Sequence, residues 1–225
     1  ARMASKGYNG PSDIFESKDG LLHAYSYLDH YDSKFITEGL GEEWTFAKSS
    51  IKVYPCCRYS GGHIDACLEI VNKYHPNAED IEKIDILSSK YTMHLLAEPC
   101  KWSPRNIVDL QFSMPFQAAV AFKNGKVTVD EFDVAYIDDE LIKRLMAHTT
   151  VAMDEEFERR YPAHYSSAVT ITMKDGTTYS ATVDDPKGDW RNPVTYEDVV
   201  NKFRYLANRV YSDPLRTESI VEFVN

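Results

Sequence analysis

The chain has 225 residues, 43% hydrophobic and 27% charged, enough for one large domain, or a domain with appendages, around a real core. Its formal net charge of −10 argues against nucleic acid or an anionic membrane as partner, since both need a basic surface. The four cysteines, at 56, 57, 67 and 100, form no C-x-x-C pair and no zinc spacing with the seven histidines, so reduced thiols in a cytoplasmic setting and no metal are expected.

In chain order, residues 12–31 alternate short helical signals with loops. Ser12 can cap a turn carrying Asp13 and Glu16, and Leu21, Leu22, Tyr25 and Leu28 recur at helical spacing. Gly39 and Gly41 break that pattern. Residues 45–53 read as a strand. Residues 62–75 predict an amphipathic helix with Ile64, Cys67, Leu68 and Val71 as its apolar stripe. Ile81 to Leu87 alternates as a strand does, with Ile84, Ile86 and Leu87 inward, and Thr92–Leu96 either extends it or forms a loop.

Residues 111–122 place Phe112, Phe116, Ala119, Val120 and Phe122 at helical intervals, ended by Gly125 in the C-cap role. Residues 138–157 predict one further helix, with Leu141, Leu145, Met146 and Val151 inward. Ala168–Met173 and Thr177–Val183 alternate on either side of Asp175-Gly176, a hairpin signal. Thr195 caps a final helix, Tyr196–Asn208, with Glu197 and Asp198 in its first turn. No apolar run has the length of a membrane span. Interleaved helices and strands with one antiparallel hairpin predict an α+β fold, a small mixed sheet covered by helices on one side.

The densest chemistry lies at Lys52-Val53-Tyr54-Pro55-Cys56-Cys57-Arg58-Tyr59, followed by Asp65. Pro55 fixes its own φ and pushes Tyr54 toward an extended conformation, so the turn is held while Lys52, Cys57 and Arg58 project from one corner. Grouped cations suit an anionic ligand, because Arg binds a carboxylate bidentately and Lys acts as a point charge. Against this stands a plain surface loop. Tyr54, Tyr59 and Arg58 are either packing and a surface ion pair or the rim of a pocket. Gly61 and Gly62 loosen the turn and open it to close backbone approach by a ligand. His63, near a positive helix terminus, is expected as a neutral imidazole facing solvent. Gln111, Ser113 and Pro115 begin an apolar helix, where free N–H groups offer a carboxylate site or Ser113 simply caps.

The landmarks around this turn keep a recognisable order: Gly7-Tyr8-Asn9-Gly10-Pro11, Ile14-Phe15-Glu16, Leu40-Gly41-Glu42-Glu43-Trp44, the lysine turn, Gln111–Phe116, Ala121–Val127, Gly188–Pro193 and Lys202-Phe203. This series resembles the C-terminal half of the MmgE/PrpD family. The resemblance covers nearly all of the chain and leaves the reaction open. It implies a lid domain at residues 44–190, with 1–43 and 191–225 belonging to a helical domain. It implies a lyase or isomerase without cofactor, 2-methylcitrate dehydratase-like, that abstracts a proton next to a carboxylate of a small di- or tricarboxylate.

Lys52 is then the catalytic residue, facing the site from the lid, with Tyr54, Cys57, Arg58, His63, Gln111 and Ser113 as candidate substrate-binding residues. Cys57 departs from the histidine expected in the decarboxylase branch, which argues against decarboxylation more than against activity. A small packed thiol fits Cys57 better than a nucleophile. Family members are about twice this length, so the partner implied is the N-terminal helical half, in a homodimer of complete units. Ala1–Lys6 read as the end of a helix already under way, so a fragment, a processed chain or one subunit of a split enzyme is expected. The competing reading is an inactive binding or scaffolding chain that kept the lid fold.

Overall fold

The computed structural model describes residues 2–26 and 32–224, in two compact units, residues 1–48 and 49–225. Among its described residues the first unit has turns, short 3-10 segments and one helix, α1 (Leu21–Tyr25). Gly39 and Gly41 adopt the left-handed conformation at φ 68° and 87°, as breakers should. Leu21 and Tyr25 are exposed, and Leu28 lies outside the described residues.

The second unit contains α2 (Gly61–Tyr74), β1 (Ile81–Ser88), α3 (Lys90–Leu96), α4 (Ile107–Gln111), α5 (Met114–Asn124) and α6 (Glu140–Ala147). There follow β2 (Thr149–Met153), α7 (Glu155–Arg160), β3 (Ser167–Met173), β4 (Thr178–Val183), α8 (Tyr196–Ala207) and α9 (Pro214–Val224). The strands form one mixed sheet in the order β2-β1-β3-β4, with β1 and β2 parallel and the other pairs antiparallel. The β3–β4 hairpin turns at Gly176, φ 86°, where the sequence put it.

Alternation along the strands turns one face inward. Ile84 pairs with Ile171, Ile86 with Val169 and Val169 with Ala181, all buried, while Asp85, Thr170 and Ser180 form the intervening row. Helix α2 covers β3 and β4, α6 touches β1, and α5 packs against α2 and α6. Every residue of α5 from Met114 to Phe122 is buried, so this helix has no solvent face. Each fully buried large side chain, such as Phe116, Ile70 or Ile171, stabilises the fold by about 1.5–3 kcal/mol relative to exposure.

Several expectations are corrected. Residues 49–53 form no strand. They are an irregular strap that follows a 3-10 turn (Thr45–Lys48), with the Ile51 amide donating to Gly188 O at 2.8 Å. Thr92–Leu96 is helical, because Ser89 caps α3 by accepting from the Thr92 amide. Leu87 points away from the core and is exposed.

The apolar run at 111–122 is broken. In a continuous helix the Pro115 ring would meet the carbonyl of Gln111, so α4 ends and Ser113 caps a new helix by accepting from the Phe116 amide. The proposed helix 138–157 splits into three elements. β-Branched Thr149, Thr150 and Val151 join β1 as a parallel edge strand, and Asp154 caps α7 by accepting from Glu156 and Phe157. Helix α8 is capped by Thr195 as expected but is not the last, since α9 follows. Among the described residues no helix is long and apolar enough to cross a membrane.

Candidate functional site

The strap runs beside a cavity of about 690 Å³ lined mainly by apolar side chains, among them Val53, Leu68, Val127 and Val199. Lys52 and Tyr54 border it from the strap, and Lys187, Lys202 and Tyr205 from the far end of the chain. Two of the lysines there are neutralised. Lys187 Nζ lies 2.8 Å from Asp198, and Lys126 Nζ lies 3.5 Å from Glu131. Lys52 is exposed and has no acidic partner among the described residues, nor has Lys202. Burial, with a smaller contribution from the positive charge of Lys52, holds the Lys202 ammonium below the usual lysine range. An apolar cavity with the uncompensated Lys52 ammonium at its border suits a small carboxylate anion.

The turn is braced by buried groups. Tyr54 Oη donates to Asp65 at 2.5 Å, and the Lys187 amide donates to the other Asp65 oxygen at 2.6 Å. Burial raises the Tyr54 phenol, with the Asp65 charge adding to it, so the ring stays a neutral donor. Burial also raises the Asp65 carboxyl, opposed by its bonds to Tyr54 and the Lys187 amide.

Pro115 contributes at a distance. The Gln111 carbonyl that it frees accepts from the Cys57 amide at 3.1 Å and from Gln117 Nε2 at 2.9 Å. Gln111 Nε2 in turn donates to Pro55 O at 2.8 Å, so this side chain fixes the proline of the turn. Ser113 is buried, donating to Lys101 O at 2.6 Å while capping α5.

Arg58 donates to Ser50 Oγ at 3.2 Å and lies 3.7 Å from Asp189, which holds the strap to the Gly188–Asn192 loop. Cys57 is half-buried with a free thiol, and burial pushes its neighbour Cys56 up to about 12. Of the candidates, then, Lys52 and Tyr54 line the cavity, whereas Cys57, Arg58, His63, Gln111 and Ser113 do not.

His63 corrects the sequence reading. It is fully buried rather than solvent-facing, with Nε2 2.9 Å from Gln117 Oε1 and no partner for Nδ1 among the described residues. It is neutral, as expected, because burial lowers it to about 4. The glycines explain the burial. A Cβ on Gly61 would lie 2.8 Å from Pro186, and one on Gly62 2.8 Å from the Tyr165 carbonyl. They admit other parts of this chain, not a ligand, and so close over the first turn of α2.

Lys202 and Lys187 also line the cavity, and nothing in the sequence around them marks them as site residues. Lys202-Phe203 was visible as a landmark, but its role depends on a contact 150 positions away. Among the described residues no group of three or more His, Cys, Asp or Glu side chains is placed to hold a metal ion.

The profile of the MmgE/PrpD C-terminal domain matches residues 54–225, beginning two positions after Lys52. The chain is 26% identical to a cis-aconitate decarboxylase-like protein of Aspergillus oryzae, over 93% of this chain and 45% of that protein. It is 26% identical to a cis-aconitate decarboxylase of Aspergillus terreus, over 99% of this chain and 47% of the relative. A shorter match, 26% identical over 45% of this chain and 21% of the relative, joins it to the mouse cis-aconitate decarboxylase. The chain spans slightly under half the length of the first two relatives.

Proposed function

The chain belongs to the MmgE/PrpD family, and from that premise we propose that it is the lid-bearing portion of a cofactor-independent lyase or isomerase acting on a small di- or tricarboxylate. The observation that carries this reading is the Lys52 ammonium at the border of an apolar cavity, without an acidic partner among the described residues. A carboxylate bound there sits against a fixed positive charge. When a proton leaves the adjacent carbon, negative charge flows onto that carboxylate, and a preplaced cation stabilises it without reorganisation. The carbanion-like species then expels hydroxide, which leaves as water with a proton from an acid of the site, or is reprotonated on its other face. In a decarboxylation no proton is abstracted, and the carbon that keeps the bond pair of the departing carbon dioxide takes up a proton instead.

In this reading Tyr54 forms part of the substrate wall. Gln111, Ser113 and His63 support the turn, Arg58 secures the strap, and Cys57 is a packed thiol. In this reading the general base lies in a further, helical half, which the greater length of the relatives favours, and residues 1–43 and 191–225 join that half around the lid at 44–190. The exposed apolar side chains of Val199, Leu206, Leu215 and Phe223 favour such a partner, within a dimer of complete units. Cys57, where the decarboxylase branch is expected to carry histidine, favours loss of water or epimerisation over loss of carbon dioxide.

The test is turnover by the complete assembly in D2O with EDTA present, using 2-methylcitrate, citrate and cis-aconitate as probes and NMR as readout. Elimination of water from one of these acids, or deuterium entering the carbon next to a carboxylate, is the expected result. Carbon dioxide release from cis-aconitate alone would correct the reaction type. Inertness toward all three would leave the inactive scaffold as the better reading.

A further inference from the structure

We propose that Lys202 is the positioning residue for Lys52: from α8 it clamps the backbone of the strap and so sets where the Lys52 ammonium meets the cavity. This rests on the reading of Lys52 as the carboxylate-binding cation. Lys202 Nζ donates to Lys52 O at 2.5 Å and to Val53 O at 3.0 Å. Because the strap belongs to no sheet, these two carbonyls have no ladder to accept from, and Lys202 supplies their hydrogen bonds among the described residues.

The same helix explains why the lysine is available. Asp198 lies one turn before Lys202, the spacing at which an acid normally takes up a lysine. Here Asp198 is already engaged, by Lys187 Nζ at 2.8 Å and by the Thr195 amide at 2.9 Å in the capping box. Lys202 is left to the strap. Two of its three donors are thus taken up by the carbonyls of the strap. The positive charge of Lys52 adds to burial in holding the Lys202 ammonium below the usual lysine range, as expected for two ammonium groups at one short stretch of the strap.

The clamp and the chemistry are tested separately. Amide hydrogen exchange on the chain with Lys202→Met should be at least tenfold faster than wild type at Ile51, whose amide ties the strap to Gly188 O. Lys202→Arg, which keeps charge and donors, should bring it back to within threefold. Unchanged exchange at Ile51 in both Lys202→Met and Lys202→Gln overturns the clamp, whatever the substrate is.

In the complete assembly, Lys202→Met should lower kcat/KM about tenfold to a hundredfold, as displacement of a catalytic group by about 1 Å does. The Lys52→Met/Lys202→Met double variant should be no slower than Lys52→Met alone, because Lys202 acts through Lys52. Multiplying losses would show Lys202 acting on the substrate directly and would overturn the proposal. A wild-type assembly that turns over no polycarboxylate contradicts the functional reading instead, and the exchange result still decides the clamp.

Discussion

Tyr54 donates its hydroxyl hydrogen to Asp65 across 2.5 Å, joining the lysine turn to the second turn of α2. The Lys187 amide shares the same carboxylate, so one acid ties together segments 122 positions apart. Tyr54→Phe keeps the ring and leaves this carboxylate short of one donor. The expected loss is about 1–3 kcal/mol of unfolding free energy, read from urea denaturation. A variant as stable as wild type would mean that the bond adds nothing to the turn.

Ser113 should matter for stability and not for substrate. Ser113→Ala removes the cap of α5 and leaves the Lys101 carbonyl without its donor, a cost of about 1–3 kcal/mol. KM for any polycarboxylate should stay within about threefold of wild type. A large rise in KM with normal stability would return Ser113 to the substrate site.

Gly188 is required by the strap. Its φ is +89°, and a Cβ there would lie 2.0 Å from the Ile51 carbonyl oxygen. Gly188→Ala should therefore destabilise by at least about 2 kcal/mol, through backbone strain and displacement of residues 50–52. A melting temperature equal to wild type would rule out this close approach.

His63 should make stability depend on acid. Its folded value of about 4 lies below the ordinary 6.5, so on acidification the unfolded chain takes up the proton first. Stability is therefore lost as pH falls from about 6.5 toward about 4, by on the order of 3 kcal/mol for this group. Replacing the imidazole with a neutral amide, His63→Gln, should flatten that part of the curve in urea titrations. An identical pH slope in the variant would show that His63 is not buried uncharged.

What could be read in the sequence was local. Asp175-Gly176 announces its hairpin, Thr195 with Asp198 its helix start, and Gly125 its helix end. The lysine turn was visible because Pro55 constrains its neighbours, whatever packs on it. The errors came where a distant contact decides. A helical apolar pattern through Leu141, Leu145 and Met146 concealed the strand after it, since Thr149–Met153 is extended only by pairing with β1, some 65 residues earlier. His63 looked solvent-facing because nothing near it in sequence reports Pro186 and the Tyr165 carbonyl closing over Gly61 and Gly62. Likewise Lys202 shows no function in its own helix, and acquires one only beside the carbonyls of Lys52 and Val53.

The central claim is that the Lys52 ammonium binds a substrate carboxylate and stabilises charge as a proton leaves. It is tested most directly by measuring turnover and melting temperature together on Lys52→Met in the complete assembly. Loss of a charge acting on the transition state should cost roughly a hundredfold or more in rate, on the order of 3–4 kcal/mol. Lys52 is exposed, so its replacement should change stability by no more than about 0.5 kcal/mol. A hundredfold slower enzyme with an unchanged melting temperature is the predicted result. Near-normal turnover of a confirmed di- or tricarboxylate would contradict the account and remove Lys52 from the site.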